Sequence, residues 1–101
     1  MTKRVFETVW HSDAGHAWLE VKYVDFLRAN LTLYQISPYS RIDPDTLTLY
    51  LEGDCDAGVF MKAWEKAGYA FADGGELVCE GDSFVRSLPT LPRLKGVAKT
   101  A

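Results

Sequence analysis

The sequence predicts an α+β domain, in which a small antiparallel sheet of four or five strands carries two helices on one face. Three observations predict this class: strict alternation in "TLTLYLE" at 46–52, an apolar stripe at helical spacing across 56–67, and turn sequences between further β-rich runs. A length of 101 residues suits one domain. We assign residues 1–88 to that domain and residues 89–101 to a loose basic tail.

The first quarter of the chain predicts a hairpin followed by a short helix. Two β-rich runs flank "SDAG" at 12–15, which is typical of a hairpin with a four-residue loop. After it, Val24, Leu27 and Leu31 recur at helical spacing, so we expect them on the buried stripe of a first helix. Asn30 predicts the end of that helix.

The clearest strand and the clearest helix follow one another. In "TLTLYLE", Leu47, Leu49 and Leu51 should point inward, with the intervening threonines and Tyr50 outward. The next segment predicts a helix capped by an Asp at 54 or 56 and ended by Gly68. Its buried stripe comprises Phe60, Ala63, Trp64 and Ala67.

The last third is expected to form a second hairpin and then to lose regular structure. "DGG" at 73–75 lies between two β-rich runs, which favours a hairpin turn. "SFVRSL" at 83–88 suits either a short strand or a helical turn. From Pro89 onward the chain holds Arg93, Lys95 and Lys99 with few apolar anchors, which predicts the basic tail.

Charge and composition exclude several classes of function. Eleven basic against 14 acidic residues give a net charge of −3, which disfavours general binding to nucleic acid. No apolar window approaches the ~20 residues that span a bilayer, and the N-terminus lacks the apolar core of a signal peptide. We therefore expect a cytoplasmic protein without a membrane partner, in which Cys55 and Cys79 are free thiols.

"HSDAGHAW" at 11–18 holds both histidines and raises the question of a metal site. His11 and His16 would flank the hairpin loop, and Asp13 could supply a third ligand, as in catalytic zinc sites with an open position. The alternative to a structural hairpin is thus a metal-binding protein or a small metal-dependent hydrolase. A hairpin tip is convex, however, and the spacing matches no metal motif, so we interpret Asp13 as a brace for the turn.

Two stretches carry a resemblance to known sequences. They are "GHAWLEV" at 15–21 and "LYLEGDCDAGVF" at 49–60. Together they resemble small, mostly uncharacterised proteins of bacteriophages, prophages and plasmids, in which a G-H-x-W-L segment precedes a YLE-D-CDA-F segment. This chain departs from that pattern at Gly53, where a second acidic residue is expected. The resemblance implies an origin in a mobile element within a bacterial host.

The sequence favours a non-enzymatic accessory protein that binds a host or phage protein with a basic surface, with inhibition of host defence as a specific form. It shows no phosphate-binding glycine loop, Ser-His-Asp pattern or paired CxxC motif, and no cofactor is expected. A nucleic-acid accessory protein acting through the basic tail is a further alternative. The expected partner-binding residues are Glu52, Asp54, Asp56, Glu80, Asp82, Trp18 and Tyr50.

Overall fold

The computed structural model of the protein describes residues 4–90, which form one mixed five-stranded sheet with two α-helices. The elements are β1 (Val5–Ser12), β2 (Ala17–Lys22), α1 (Tyr23–Arg28), β3 (Arg41–Asp43), β4 (Thr48–Glu52), α2 (Asp56–Lys66) and β5 (Ala70–Val78), with 3₁₀ turns at Leu33–Gln35 and Phe84–Ser87. The strand order is β3-β4-β2-β1-β5. The α+β class is therefore confirmed.

The predicted first hairpin is present. β1 and β2 pair antiparallel, with His11 opposite Trp18, and the Asp13 N–H donates to the His16 carbonyl over 2.9 Å to close a four-residue loop. β4 pairs antiparallel with β2, and β3 pairs antiparallel with β4. These pairs form the antiparallel part of the sheet.

The hairpin predicted at "DGG" is wrong, because residues 70–78 form one strand that lies parallel to β1. Helix α2 returns the chain to the opposite end of the sheet, and such a crossover makes parallel pairing possible. Gly74 and Gly75 form a bulge in this strand, since the register with β1 shifts there and Gly75 has a φ of 101°. A Cβ at Gly74 would lie 2.7 Å from the Thr8 carbonyl oxygen, so the bulge needs glycine.

Both helices pack on the same face of the sheet, as predicted. Phe6 from β1 meets Phe60 and Trp64 of α2 edge to face, with ring centroids 4.8 and 5.6 Å apart. The indole N–H of Trp64 donates to the Ala70 carbonyl over 2.8 Å. Phe26 of α1 adds to the same core beside Leu19. Within residues 4–90, no helix is long and apolar enough to cross a lipid bilayer.

The stripe predicted for α1 is partly wrong. Val24 and Leu27 are half-exposed and Phe26 is buried instead, because a helix of six residues presents too few turns to bury a full stripe. Asn30 does end this region, with a φ of 63°. Leu47 also has a positive φ, and its carbonyl accepts the Tyr23 N–H, so its side chain leaves the strand alternation. Together these apolar side chains line an open groove of about 300 Å³.

The second face of the sheet is crossed by the C-terminal strap, which we define as residues 82–90. Val85 is buried against the sheet, and the Ile42 N–H donates to the Pro89 carbonyl over 2.9 Å. Thr90 forms a bridge with Arg41 of β3. Pro89 and Thr90, assigned above to the tail, thus contact β3. The basic residues Arg93, Lys95 and Lys99 lie outside the described residues.

Trp64→Ala is expected to lower the free energy of unfolding by ~3–5 kcal/mol, because it empties the centre of the helix-side core. It also leaves the Ala70 carbonyl without its indole donor. Lys62→Ala, at an exposed site on the same helix, should change stability by less than about 0.5 kcal/mol. Urea unfolding measures both, and equal stabilities would contradict the position of Trp64 in the core.

Candidate functional site

The tripeptide Glu-Gly-Asp occurs at 52–54 and again at 80–82, and both turns that hold it lie at the same end of the sheet. β4 and β1 are both antiparallel to β2, and β5 is parallel to β1, so β4 and β5 run in the same direction. Asp54 leaves β4 at this end, while Glu80 and Asp82 follow β5 there, and all three are exposed. We call these three residues the acidic end. The β1–β2 loop lies between its two turns.

Two of the five acidic residues expected at a binding edge are buried, which corrects that part of the prediction. Glu52 is 7% exposed and Asp56 is 1% exposed. Glu52 accepts a hydrogen bond from the Asp54 N–H over 2.9 Å, and its own N–H donates to the Ser40 hydroxyl. Glu52 therefore shapes the turn that displays Asp54 and is itself withdrawn from solvent.

Asp56 is a buried acceptor and does not cap α2. The N-cap position is Cys55, which makes no side-chain cap hydrogen bond. Both Asp56 carboxylate oxygens accept from the Ser37 N–H, at 3.0 and 3.1 Å, and one also accepts from the hydroxyls of Ser37 and Ser40. The carboxylate thereby fixes the segment before β3 against the start of α2.

Trp18 and Tyr50 do not form an exposed aromatic contact face. They are 3% and 6% exposed, because Val85 of the strap packs on both. Phe84 meets the Tyr50 ring edge to face at 5.5 Å. Burial, followed by the carboxylates of Glu20 and Asp43, raises the pKa of the Tyr50 phenol. Tyr50 is thus an uncharged part of the interface between sheet and strap.

Asp13 connects the hairpin loop to the strap. Its carboxylate accepts from Arg86 Nε at 2.6 Å and Arg86 Nη2 at 2.9 Å, and from the Ser83 N–H at 3.0 Å. It also accepts from the N–H groups of Gly15 and His16 within its own loop. The Arg86 guanidinium, followed by the Ser83 N–H, holds the pKa of Asp13 well below its ordinary value.

The two histidines do not converge on Asp13. His11 Nε2 lies 2.7 Å from a Glu20 carboxylate oxygen. His16 stacks on Trp18 with ring centroids 5.6 Å apart, and its Nδ1 accepts from Arg86. The Arg86 guanidinium thus lies between Asp13 and His16. Among the described residues, no group of three or more His, Cys, Asp or Glu could hold a metal ion. His11, Asp13 and His16 are therefore not brought together in one site.

The Cys55 thiol lies at the turn between β4 and α2. Its pKa is raised, chiefly by the neighbouring Asp56 carboxylate and also by burial and by Glu52. A raised pKa favours the thiol over the nucleophilic thiolate at neutral pH. Cys55 and Cys79 are both free, as expected.

Several residues that hold the structure together were not predicted from the sequence. Arg86 and Ser83 anchor the strap, while Ser37 and Ser40 hold Asp56. Each acts on a partner 16 or more positions away, so no local pattern marks it. One local signal was available for the strap: the Ser83 hydroxyl accepts from the Val85 N–H, a typical start for a helical turn.

The two stretches that carry the resemblance lie side by side as β2 and β4. Trp18 is opposite Glu52, and Leu19 is opposite Leu51. Gly53 continues the contact, because its N–H donates to the Ala17 carbonyl over 2.8 Å. Comparison of the chain with protein-family models, with curated proteins and with solved structures finds no match.

Asp13→Asn is expected to destabilise the fold at about pH 7 and by a somewhat smaller amount at about pH 3. The folded-state pKa lies below the ordinary value of 3.8, so the stabilisation is present above that value and is lost as the pH falls through the folded pKa. Urea unfolding at both pH values measures the difference from the wild type. Asp25→Asn, which breaks a surface pair with Arg28, should have little effect at either pH. A deficit independent of pH would contradict the role of the ionised carboxylate.

Asp56→Ala is expected to be strongly destabilising, whereas Asp54→Ala is not. The first change leaves two donors of the half-buried Ser37 and one donor of the buried Ser40 without their acceptor, at up to about 1–3 kcal/mol for each group left unpaired. The second removes an exposed side chain and should cost less than about 0.5 kcal/mol. Chemical denaturation measures the free energy of unfolding of both variants. Similar losses would show that the burial of Asp56 does not make it more important for stability than Asp54.

Proposed function

We propose that this is a non-enzymatic accessory protein of a bacteriophage, prophage or plasmid, and that it binds a host or phage protein through a basic surface of that partner. The observation that supports this most directly is the charge of the folded body. Residues 4–90 hold all 14 Asp and Glu but only seven Lys and Arg, a net charge of −7. A body with such a field attracts cationic surfaces and repels phosphate backbones.

The acidic end concentrates this charge on three exposed carboxylates. Asp82 forms a long ion pair with Arg86, at 3.9 Å, but the Arg86 guanidinium is engaged more closely by Asp13, at 2.6 Å. The Asp82 side chain is 90% exposed. Within the described part of the chain, neither Asp54 nor Glu80 forms an ion pair. A partner's Lys or Arg residues can therefore approach all three carboxylates.

The acidic end is also held on well-supported turns. The Gly53 N–H donates to the Ala17 carbonyl, and the Cys79 N–H donates to the Ser12 carbonyl, each over 2.8 Å. These bonds fix the turns that precede Asp54 and Glu80 onto the β1–β2 hairpin. A preorganised set of charges loses little conformational entropy on binding, which favours recognition of a defined surface.

Inhibition of host defence is a specific form of this proposal. Host proteins that act on nucleic acid carry basic surfaces, and an acidic body can occupy such a surface in place of the phosphate backbone. The cytoplasm of the bacterial host is the compartment in which such a partner would be met.

Glu80→Lys with Asp82→Lys is expected to abolish capture of basic proteins from a bacterial lysate at low salt, because it reverses two of the three exposed charges. The matched control is Asp45→Lys with Glu65→Lys, which makes the same change in net charge at exposed sites elsewhere. Partners identified by mass spectrometry are then purified and titrated against each variant. The acidic-end variant should associate at least about tenfold more slowly than the control, with a rate that falls as salt is added.

Two results would contradict the proposal. Equal capture by the two double variants would show that net charge alone, and not the acidic end, attracts the partner. Loss of the captured proteins after nuclease treatment would show that nucleic acid bridges them to the chain. Thermal melts of both variants should match the wild type, since all four substituted side chains are exposed and none belongs to the core.

A further inference from the structure

The outer edge of β5 is open. β5 pairs with β1 on one side, and no strand among residues 4–90 lies on its other side. It spans nine residues, and the seven from Ala72 to Val78 are exposed. Leu77 and Val78 present apolar side chains there. A long exposed edge with unpaired backbone groups is a template for another strand.

The side chains of β5 select which strand can be added. Asp73 and Glu76 are exposed, and a second β5 would bring the same two carboxylates against them. Like charges on neighbouring strands are destabilising, and the glycine bulge further disturbs such pairing. A strand that carries Lys or Arg beside an apolar residue would instead satisfy both Glu76 and Leu77.

The chain contains such a segment at its C-terminus. Residues 91–101 hold three basic and no acidic residues, and Arg93, Leu94 and Lys95 alternate in charge and apolarity. Side chains on adjacent strands share a face when they are opposite each other. Leu94 placed beside Leu77 would put either Arg93 or Lys95 beside Glu76, whichever direction the added strand runs.

Arg93 to Lys95 cannot reach β5 of their own molecule. Thr90 lies beside β3, at the opposite edge of the sheet. From there to a strand added outside β5 is six strand spacings, or about 29 Å. Lys95 is five residues beyond Thr90, and five extended residues span at most about 18 Å. A strand centred on Arg93 to Lys95 must therefore come from another copy.

We propose that the C-terminal segment of one copy, centred on Arg93 to Lys95, adds as a strand to the open edge of β5 in a second copy. The contact joins two different surfaces, so copies associate head to tail. The number of copies joined in this way rises with protein concentration. It does not require the partner protein proposed above, because its charges lie on β5 and on the C-terminal segment.

Light scattering coupled to size exclusion tests this on the full chain over a range of concentrations. The wild type should exceed the 11.3 kDa of one chain as concentration rises. Arg93→Glu with Lys95→Glu, and separately Glu76→Lys, should each weaken association at least about tenfold. Lys62→Glu with Lys66→Glu is the matched control on α2 and should associate more strongly than the Arg93/Lys95 variant. An equimolar mixture of Glu76→Lys with the Arg93/Lys95 variant should regain association. In the mixture, the acidic segment of one variant faces the basic edge of the other, so opposite charges meet again.

Clear results would overturn the inference. A single-chain mass at every concentration would exclude self-association, and equal weakening by the α2 control would reduce it to a net-charge effect. Failure of the mixture to associate would contradict the proposed pairing of Glu76 with Arg93 or Lys95. Glu80→Lys with Asp82→Lys should leave self-association intact even where it abolishes capture of a partner, so the two proposals fail separately.

Discussion

The Asp13–Arg86 ion pair determines how the second face of this sheet is closed. One carboxylate accepts from its own loop, from the Ser83 N–H and from the guanidinium of Arg86, so it joins a hairpin at the start of the chain to the strap at its end. The burial of Trp18 and Tyr50 follows from that junction, because Val85 reaches them only when the strap lies across the face. The place of Asp82 beside the loop follows from it as well.

The strap contact is well packed but carries a cost. Two buried donors near it, Trp18 Nε1 and Arg41 Nε, have no hydrogen-bond acceptor among the described residues. An unpaired buried donor loses its hydration without compensation, which offsets part of the gain from apolar packing. The Arg41 side chain is nonetheless engaged, because its Nη1 donates to the Leu88 carbonyl. The charged contact at Asp13 therefore matters more for the strap than the number of buried apolar groups suggests.

Local periodicity predicted those elements whose burial is decided by their own residues. The hairpin, β4 and α2 each show the spacing of their secondary structure, and all three are present. Periodicity failed where a distant neighbour decides. "DGG" has the composition of a hairpin turn, but β1 lies beside it in parallel and converts it into a bulge. Thr48 and Tyr50 point away from the helices as predicted, yet they are buried because the second face is covered too.

The candidate site was predictable to the same extent. The shared direction of β4 and β5 places both acidic turns at one end of the sheet, a possibility that strand pairing alone raises. It was not predictable that Asp56 is buried while Asp54 is exposed. The burial of Asp56 depends on Ser37 and Ser40, which no sequence motif connects to it. The brace that Asp13 provides for its own turn was predicted, but its contact with Arg86 could not be, because Arg86 lies 73 positions away.

The distance in sequence between Asp13 and Arg86 has a consequence for synthesis on the ribosome. The chain is made from its N-terminus, so β1 can pair with β5 only after Val78 has emerged, and Asp13 can pair with Arg86 only after Arg86 has emerged. Until then, Trp18 and Tyr50 lack the cover of Val85. Contacts so distant in sequence also slow folding, because the entropy of closing a long loop is lost before they form. The nascent protein therefore presents to the chaperones of the cell an aromatic surface that the finished protein conceals.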